Sequence, residues 1–129
     1  MKLEQAVVLA HGAYSGEYRR LGLESRAIAA SVRPGQFVHL RVPDLDGATL
    51  RRPFSVFMAE GAAVSMLYKT VGQGTRAMER LKVGDSVSIL GPLGNGFPLP
   101  EDDRLPVLAA GGYGVAPLYF LAARLRRKG

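Results

Sequence analysis

The first hundred residues contain short hydrophobic runs that alternate with polar residues and are separated by Gly, Pro and Asp. This pattern predicts an antiparallel barrel or sandwich of short strands. Within one run, Val64, Met66 and Tyr68 recur with the period of two expected when one face of a strand packs on a core. The six predicted strands are Gln5–Ala10, Tyr18–Leu23, Gln36–Val42, Pro53–Met58, Ala63–Tyr68 and Ser86–Leu90.

Helical periodicity interrupts the strands once, at about Thr75–Leu81. Thr75 is predicted to be the N-cap, and Ala77, Met78 and Leu81 form one apolar face. Clusters of Pro, Gly and Asp are typical of turns. The predicted turns are Arg33–Gly35 and Asp44–Gly47, and Gly91–Phe97 is predicted to be a rigid connection that closes the barrel region.

The character of the chain changes after a Pro-rich segment at 97–106. A small-apolar strand is predicted at Val107–Ala110, followed by a glycine loop and a helix at Pro117–Arg127. This succession is typical of the first βα unit of a parallel nucleotide-binding domain. The sequence therefore predicts a β-domain over residues 1–100 and the beginning of an incomplete α/β domain over residues 104–129.

Composition narrows the chemistry that the chain can perform. The 129 residues suffice for one compact domain, and Gly, Pro or charged residues interrupt every apolar run before it could span a membrane. We therefore expect a cytoplasmic protein. With no cysteine, the chain cannot by itself ligate a metal or cluster through thiolates. No acidic pattern makes a metal site with His11 or His39, and His39 is interpreted as an ordinary strand residue.

The net charge of +6 does not predict a nucleic-acid partner, because its distribution is uneven. Arg124, Arg126, Arg127 and Lys128 supply four of the seventeen basic residues, and the rest of the chain carries thirteen basic against eleven acidic residues. A basic face on a terminal helix is usually solvated. Neither a nucleic acid nor a membrane is expected as a partner.

Three motifs indicate a phosphate-bearing ligand. In Arg51-Arg52-Pro53-Phe54-Ser55, a guanidinium could clamp phosphate oxygens while a hydroxyl on the same extended segment contacts another part of an elongated ligand. Residues 71–75, VGQGT, place two glycines before the short helix, where backbone amides can approach an anion. Residues 111–117, GGYGVAP, are similar to the dinucleotide-binding glycine fingerprint without matching it. Taken singly, RRPFS is better explained as an arginine pair in a loop before a buried strand, and VGQGT is equally compatible with an ordinary glycine turn.

Together, the segments RRPFS (51–55), YKTVGQGT (68–75), LGPLGNGF (90–97) and LAAGGYGVAP (108–117) resemble the ferredoxin-NADP reductase superfamily. The resemblance extends from about Gln36 to Leu121 and is strongest to the electron-transfer subunits of bacterial dihydroorotate dehydrogenase. It implies a mainly β fold, with a six-stranded antiparallel Greek-key barrel that binds a flavin and contains one short helix. An α/β domain for NAD(P) would follow, represented here by its first βα unit alone.

The resemblance also implies a cofactor, FAD in preference to FMN, and the residues that hold it. Arg52 would contact the pyrophosphate, together with Gly72, Gly74 and Thr75. Ser55 would lie near N5 of the ring. The residues implied to line the isoalloxazine or ribityl chain are Pro53, Phe54, Ser55, Leu67, Tyr68 and Lys69. Those implied for a nicotinamide-nucleotide loop are Gly111, Gly112 and Gly114. No residue is implied to be catalytic or to ligate a metal.

The resulting hypothesis is a flavin-binding electron-transfer subunit, or a fragment of one. It would pass electrons between a flavin dehydrogenase partner, an iron–sulfur cluster and NAD, the last two only in the complete system. The alternatives are a non-catalytic barrel that serves as an interaction module, completed by a partner chain or a second copy, and a stand-alone NAD(P)H–flavin reductase.

Overall fold

The structure is a computed structural model that describes residues 1–42 and 50–128, so the predicted turn at Asp44–Gly47 lies outside the described residues. The described part contains seven strands, three helices and one 3-10 turn. The strands are β1 (Lys2–Ser15), β2 (Tyr18–Glu24), β3 (Phe37–Arg41), β4 (Arg52–Ser55), β5 (Met58–Glu60), β6 (Ala63–Lys69) and β7 (Ser86–Leu93). The helices are α1 (Arg26–Ser31), α2 (Gln73–Met78) and α3 (Val115–Lys128), and the 3-10 turn is Gly112–Gly114.

All seven strands belong to one antiparallel sheet with the order β4-β3-β7-β1-β2-β6-β5. The two outermost strands, β4 and β5, follow each other in the chain with only Val56 and Phe57 between them. The sheet must therefore curl until its ends meet. Two backbone hydrogen bonds hold this junction, from Val56 N–H to Gln36 O (3.3 Å) and from Phe57 N–H to Ser65 O (2.8 Å).

The mainly β fold class is confirmed, with two differences in the strands. There are seven strands instead of six, because the predicted strand Pro53–Met58 is divided at the junction into β4 and β5. The hydrogen-bond ladder also stays open between the ends of the sheet. The inner face of the curled sheet encloses the main core, which includes Leu21, Val38, Val64, Met66 and Ile89.

Helix α1 was not predicted. Its first turn is held by hydrogen bonds to the carboxylate of a residue distant in the sequence. Ser25 occupies the N-cap position, but its hydroxyl donates to the Glu4 carboxylate of β1 instead of capping the helix. The other Glu4 oxygen accepts from the Ala27 backbone N–H at 3.4 Å. These hydrogen bonds, led by that from Ser25, lower the pKa of Glu4. The underside of the helix buries Ile28 in the core.

Helix α3 packs on the outside of the sheet and covers the second face of β6. Leu67 points outward from β6, yet it is buried in a second cluster with Phe57 and Ala116 of α3. The Tyr119 ring stacks on Phe57 with centroids 4.5 Å apart. The predicted core face of β6, formed by Val64, Met66 and Tyr68, is confirmed, and the opposite face is buried as well.

The predicted strand Val107–Ala110 does not form, because no strand of the described chain lies beside it to pair with its backbone. Leu105 and Val107 are 88% and 86% exposed. The helix predicted at Pro117–Arg127 is present and two residues longer at its start. Across residues 1–42 and 50–128, none of the helices has both the length and the apolar character needed to cross a bilayer.

Candidate functional site

One cavity of about 590 Å³ gathers all ten residues predicted to hold a flavin. They come from β4, from the end of β6 and from the segment that opens α2. The predicted residues in its lining are Arg52, Pro53, Phe54, Ser55, Leu67, Tyr68, Lys69, Gly72, Gly74 and Thr75. Its volume is within the range of about 300–1,000 Å³ typical of small-molecule sites.

The two adjacent arginines have different surroundings. Arg51 is anchored to β7, where its guanidinium donates to Ser88 O (3.2 Å) and Ser88 Oγ (2.8 Å). Arg52 lines the cavity, and within residues 1–42 and 50–128 its guanidinium has no hydrogen-bond or ion-pair partner. It lies against Gly74, where an added Cβ would be only 3.0 Å from Arg52 Nε. As far as the described residues are concerned, the Arg52 guanidinium is therefore available to bind an anion in the cavity.

Thr75 stabilises the start of α2 from a different position than predicted. The helix begins at Gln73 after an N-cap at Gly72, which places Thr75 in the first turn, and the helix ends at Met78. The Thr75 hydroxyl accepts hydrogen bonds from the backbone N–H groups of Val71 (2.8 Å) and Gly72 (3.0 Å). The predicted N-cap was wrong because this side chain reaches back to the preceding amides, the reciprocal half of a capping box.

The opposite part of the cavity has an aromatic wall and a cation. The rings of Phe54 and Tyr68 meet edge to face with centroids 6.4 Å apart. Burial raises the pKa of the Tyr68 phenol, which therefore stays protonated at neutral pH. A hydrogen bond to Glu17, 3.0 Å away, raises the pKa of Lys69 and keeps it charged. No acidic side chain is among the described residues of the lining, so the cavity favours an anionic ligand.

The glycine loop contributes to this cavity through residues that were not predicted. Gly111, Gly112 and Gly114 are not in its lining, whereas Tyr113 is, together with Ala116 of α3. Tyr113 contacts the Tyr18 ring edge to face at 5.6 Å between centroids. No local signal in the sequence predicts this approach, because the docking of α3 creates it. Val71 and Gln73 also line the cavity, and their position on either side of the predicted Gly72 could have indicated it.

No metal-binding cluster of three or more His, Asp or Glu side chains is present among the residues that the structure describes. The cavity therefore offers cations, backbone amides and aromatic surfaces as its recognition chemistry.

Comparison with known proteins identifies the class to which this fold and cavity belong. Residues 6–97 match the family described as the oxidoreductase FAD-binding domain, and the chain belongs to this family. Its similar curated relatives are each named dihydroorotate dehydrogenase B (NAD(+)), electron transfer subunit. The relative from Clostridium acetobutylicum is 45% identical over 95 residues, which cover 74% of this chain and 38% of the relative. That from a Geobacillus species is 38% identical over 133 residues, covering 100% and 52%.

Solved structures agree with this family. One is a NADH-dependent reduced ferredoxin-NADP oxidoreductase, with a TM-score of 0.83 and 27% identity, matched over 98% of this chain and 45% of the other. Another is a cytochrome P450 reductase from Amycolatopsis, with a TM-score of 0.78 and 32% identity, matched over 98% and 40%. The family predicted from the four motifs is confirmed. The chain spans about half the length, or less, of the curated relatives that it matches.

Proposed function

We propose that this chain is the flavin-binding part of an electron-transfer subunit, with FAD held in the cavity beside Arg52. The observation that carries the proposal is the convergence of three separate motifs on one cavity with two cations and no acid in its described lining. The contact between Arg52 and Gly74 supports it further, because an added Cβ at residue 74 would lie 3.0 Å from Arg52 Nε and would crowd the guanidinium in its present position.

Each part of the cavity suits one part of FAD. The Arg52 guanidinium and the first-turn backbone amides of α2 at Gly74 and Thr75, which follow Gly72, would hold the pyrophosphate, since charge-assisted donors and exposed amides favour phosphate oxygens. Thr75 would support these amides by fixing the turn that carries them. The residues that would contact the ring system or ribityl chain are Pro53, Phe54, Ser55, Leu67, Tyr68 and Lys69, with the Ser55 hydroxyl near N5.

A bound flavin supplies hydride and single-electron transfer, and the protein's part is to bind the cofactor and adjust its electrostatics. The Lys69 ammonium, although it is paired with Glu17, would lie beside the ring, where a positive charge favours the reduced, anionic flavin. Phe54 and Tyr68 would exclude water from one side. None of these steps needs a nucleophile or an acid–base pair from this chain.

We also propose that residues 104–129 begin a second, nucleotide-binding unit after a flavin-binding unit at residues 1–100. Its exposed apolar residues, Leu105 and Val107, would be covered when further strands are present. Gly111, Gly112 and Gly114 would then form its nicotinamide-nucleotide loop. The complete system would include a flavin dehydrogenase partner, NAD and an iron–sulfur cluster ligated by residues outside this cysteine-free sequence.

The first test is the spectrum of the purified chain. We expect a yellow protein that releases FAD on denaturation, identified by mass, and that takes up added FAD in a fluorescence titration. A folded but colourless protein that takes up no flavin would contradict the proposal and favour the interaction module. Steady-state oxidation of NADH by the isolated chain would instead favour the stand-alone reductase.

A second prediction concerns the contact between Gly74 and Arg52. Gly74→Ala places a methyl group 3.0 Å from Arg52 Nε and should push the guanidinium away from its position. We expect the Kd for FAD to rise about fivefold, equivalent to about 1 kcal/mol, in a titration followed by flavin fluorescence. In the Arg52→Ala background the same change should have no further effect, because the displaced group is absent. Additive losses would show that Gly74 acts independently of Arg52.

A further inference from the structure

His11 connects two parts of the molecule that meet at the cavity. Its ring nitrogen Nδ1 lies 2.8 Å from the backbone oxygen of Leu81, which follows α2. The other ring nitrogen, Nε2, lies 2.6 Å from the Tyr68 hydroxyl. His11 itself is on β1, is partly buried and does not line the cavity. It is therefore placed to act on the site only through its two partners.

The two partners determine the proton arrangement of a neutral His11 ring. A backbone carbonyl can only accept, so Nδ1 must carry the hydrogen that it donates to Leu81 O. Nε2 is then left as an acceptor, and the Tyr68 hydroxyl donates to it. The Tyr68 oxygen in turn accepts from Arg19 Nε at 3.3 Å. Every polar atom in this small network has a partner, so removal of the imidazole leaves the buried Tyr68 hydroxyl without its acceptor.

The partners of His11 belong to different halves of the cavity. Tyr68 is part of the aromatic wall and contacts Phe54. Leu81 follows the helix whose first residues, with Gly72 before them, lie in the phosphate half. The His11 and Tyr68 rings are also stacked, with centroids 5.8 Å apart. His11 thus ties the position of the wall to the position of α2.

We propose that His11 is a positioning residue for the cofactor, which keeps the ring half and the phosphate half of the cavity in register. The proposal rests on the proposed function. This role would affect the two ligands differently, because FAD would span both halves of the cavity whereas riboflavin would occupy only the ring half. Loss of the connection should therefore weaken FAD more than riboflavin, although His11 would contact neither.

The test compares the Kd values of FAD and riboflavin, by fluorescence titration, in wild type, His11→Phe and Tyr68→Phe. Phenylalanine at position 11 keeps a stacking ring and removes both hydrogen bonds. We expect FAD affinity to fall about tenfold, as for one buried hydrogen bond left unmade, and riboflavin affinity to fall less than about threefold on the same scale. A double variant that combines His11→Phe with Tyr68→Phe should lose no more FAD affinity than His11→Phe alone, since both changes break the same hydrogen bond.

His39→Phe is the matched control, because it is the same substitution at the other histidine, on β3, outside the cavity lining. It should leave both affinities unchanged. An equal loss for the two ligands in His11→Phe, or no loss in a folded variant, would overturn the proposal. If His11→Phe fails to fold, the same comparison is made with Tyr68→Phe, which should also lose more affinity for FAD than for riboflavin. Failure of the wild type to bind either flavin would instead refute the proposed function.

Discussion

Replacement of Arg52 by alanine is expected to weaken FAD binding about 30-fold and to leave riboflavin binding within about twofold. The factor corresponds to about 2 kcal/mol, the contribution of a charge-assisted hydrogen-bonded contact. Riboflavin has no phosphate, so it loses nothing when the guanidinium is removed. The Kd values of both ligands, measured by fluorescence titration, provide the test.

Arg51→Ala supplies the control for this experiment. Arg51 differs from its neighbour only in position, and its guanidinium is engaged by Ser88 on β7. We expect a modest loss of thermal stability and no change in the ratio of the FAD and riboflavin affinities. An equal loss for both ligands in Arg52→Ala would show that Arg52 does not hold the pyrophosphate.

The largest effect on stability is expected for Gly35→Ala. Gly35 has φ of +96°, and an added Cβ would lie 3.0 Å from both the backbone nitrogen and the ring of Phe97. That nitrogen donates to Pro34 O at 2.8 Å, so the two segments cannot separate without losing a hydrogen bond. Backbone strain of about 1–2 kcal/mol and overpacking of about 1–3 kcal/mol together predict a loss of about 3 kcal/mol in the free energy of unfolding.

Gly84→Ala isolates the contribution of the contact with Phe97. Gly84 also has φ of +96°, but an added Cβ there has no atom within 4 Å. We expect only the backbone strain, about 1–2 kcal/mol. Urea unfolding of the two variants at one temperature measures the difference. Equal losses of unfolding free energy in the two variants would mean that the backbone conformation accounts for the whole effect and that Phe97 moves aside with no loss of stability.

The composition of the cavity was largely predictable because its residues occur in short motifs. RRPFS, YKTVGQGT and their order indicated which residues would meet, and the ten predicted residues line one cavity. Their contacts with FAD remain a prediction. The glycine loop was different: its glycines make the 3-10 turn, while Tyr113 reaches the cavity. That contact depends on the packing of α3 against β5 and β6, a relation between distant segments.

Local patterns determined most strands of this protein, because alternation of side chains along an extended backbone is a property of neighbouring residues. Tyr18–Leu23 and Ala63–Tyr68 each lie within an observed strand and differ from it by one residue. The family was indicated by four other short segments, RRPFS, YKTVGQGT, LGPLGNGF and LAAGGYGVAP. These features need only the chemistry and order of nearby positions.

Only the tertiary structure decided the remainder. Glu4 supports the start of α1 across more than twenty residues, and His11 joins Tyr68 to Leu81, which follows α2, across more than fifty. The predicted strand at Val107–Ala110 is absent because a strand needs a neighbour that no local pattern can supply. Hydrogen bonds and burial between remote segments arise when the sheet curls, so the residues that make them carry no signal of their own in the sequence.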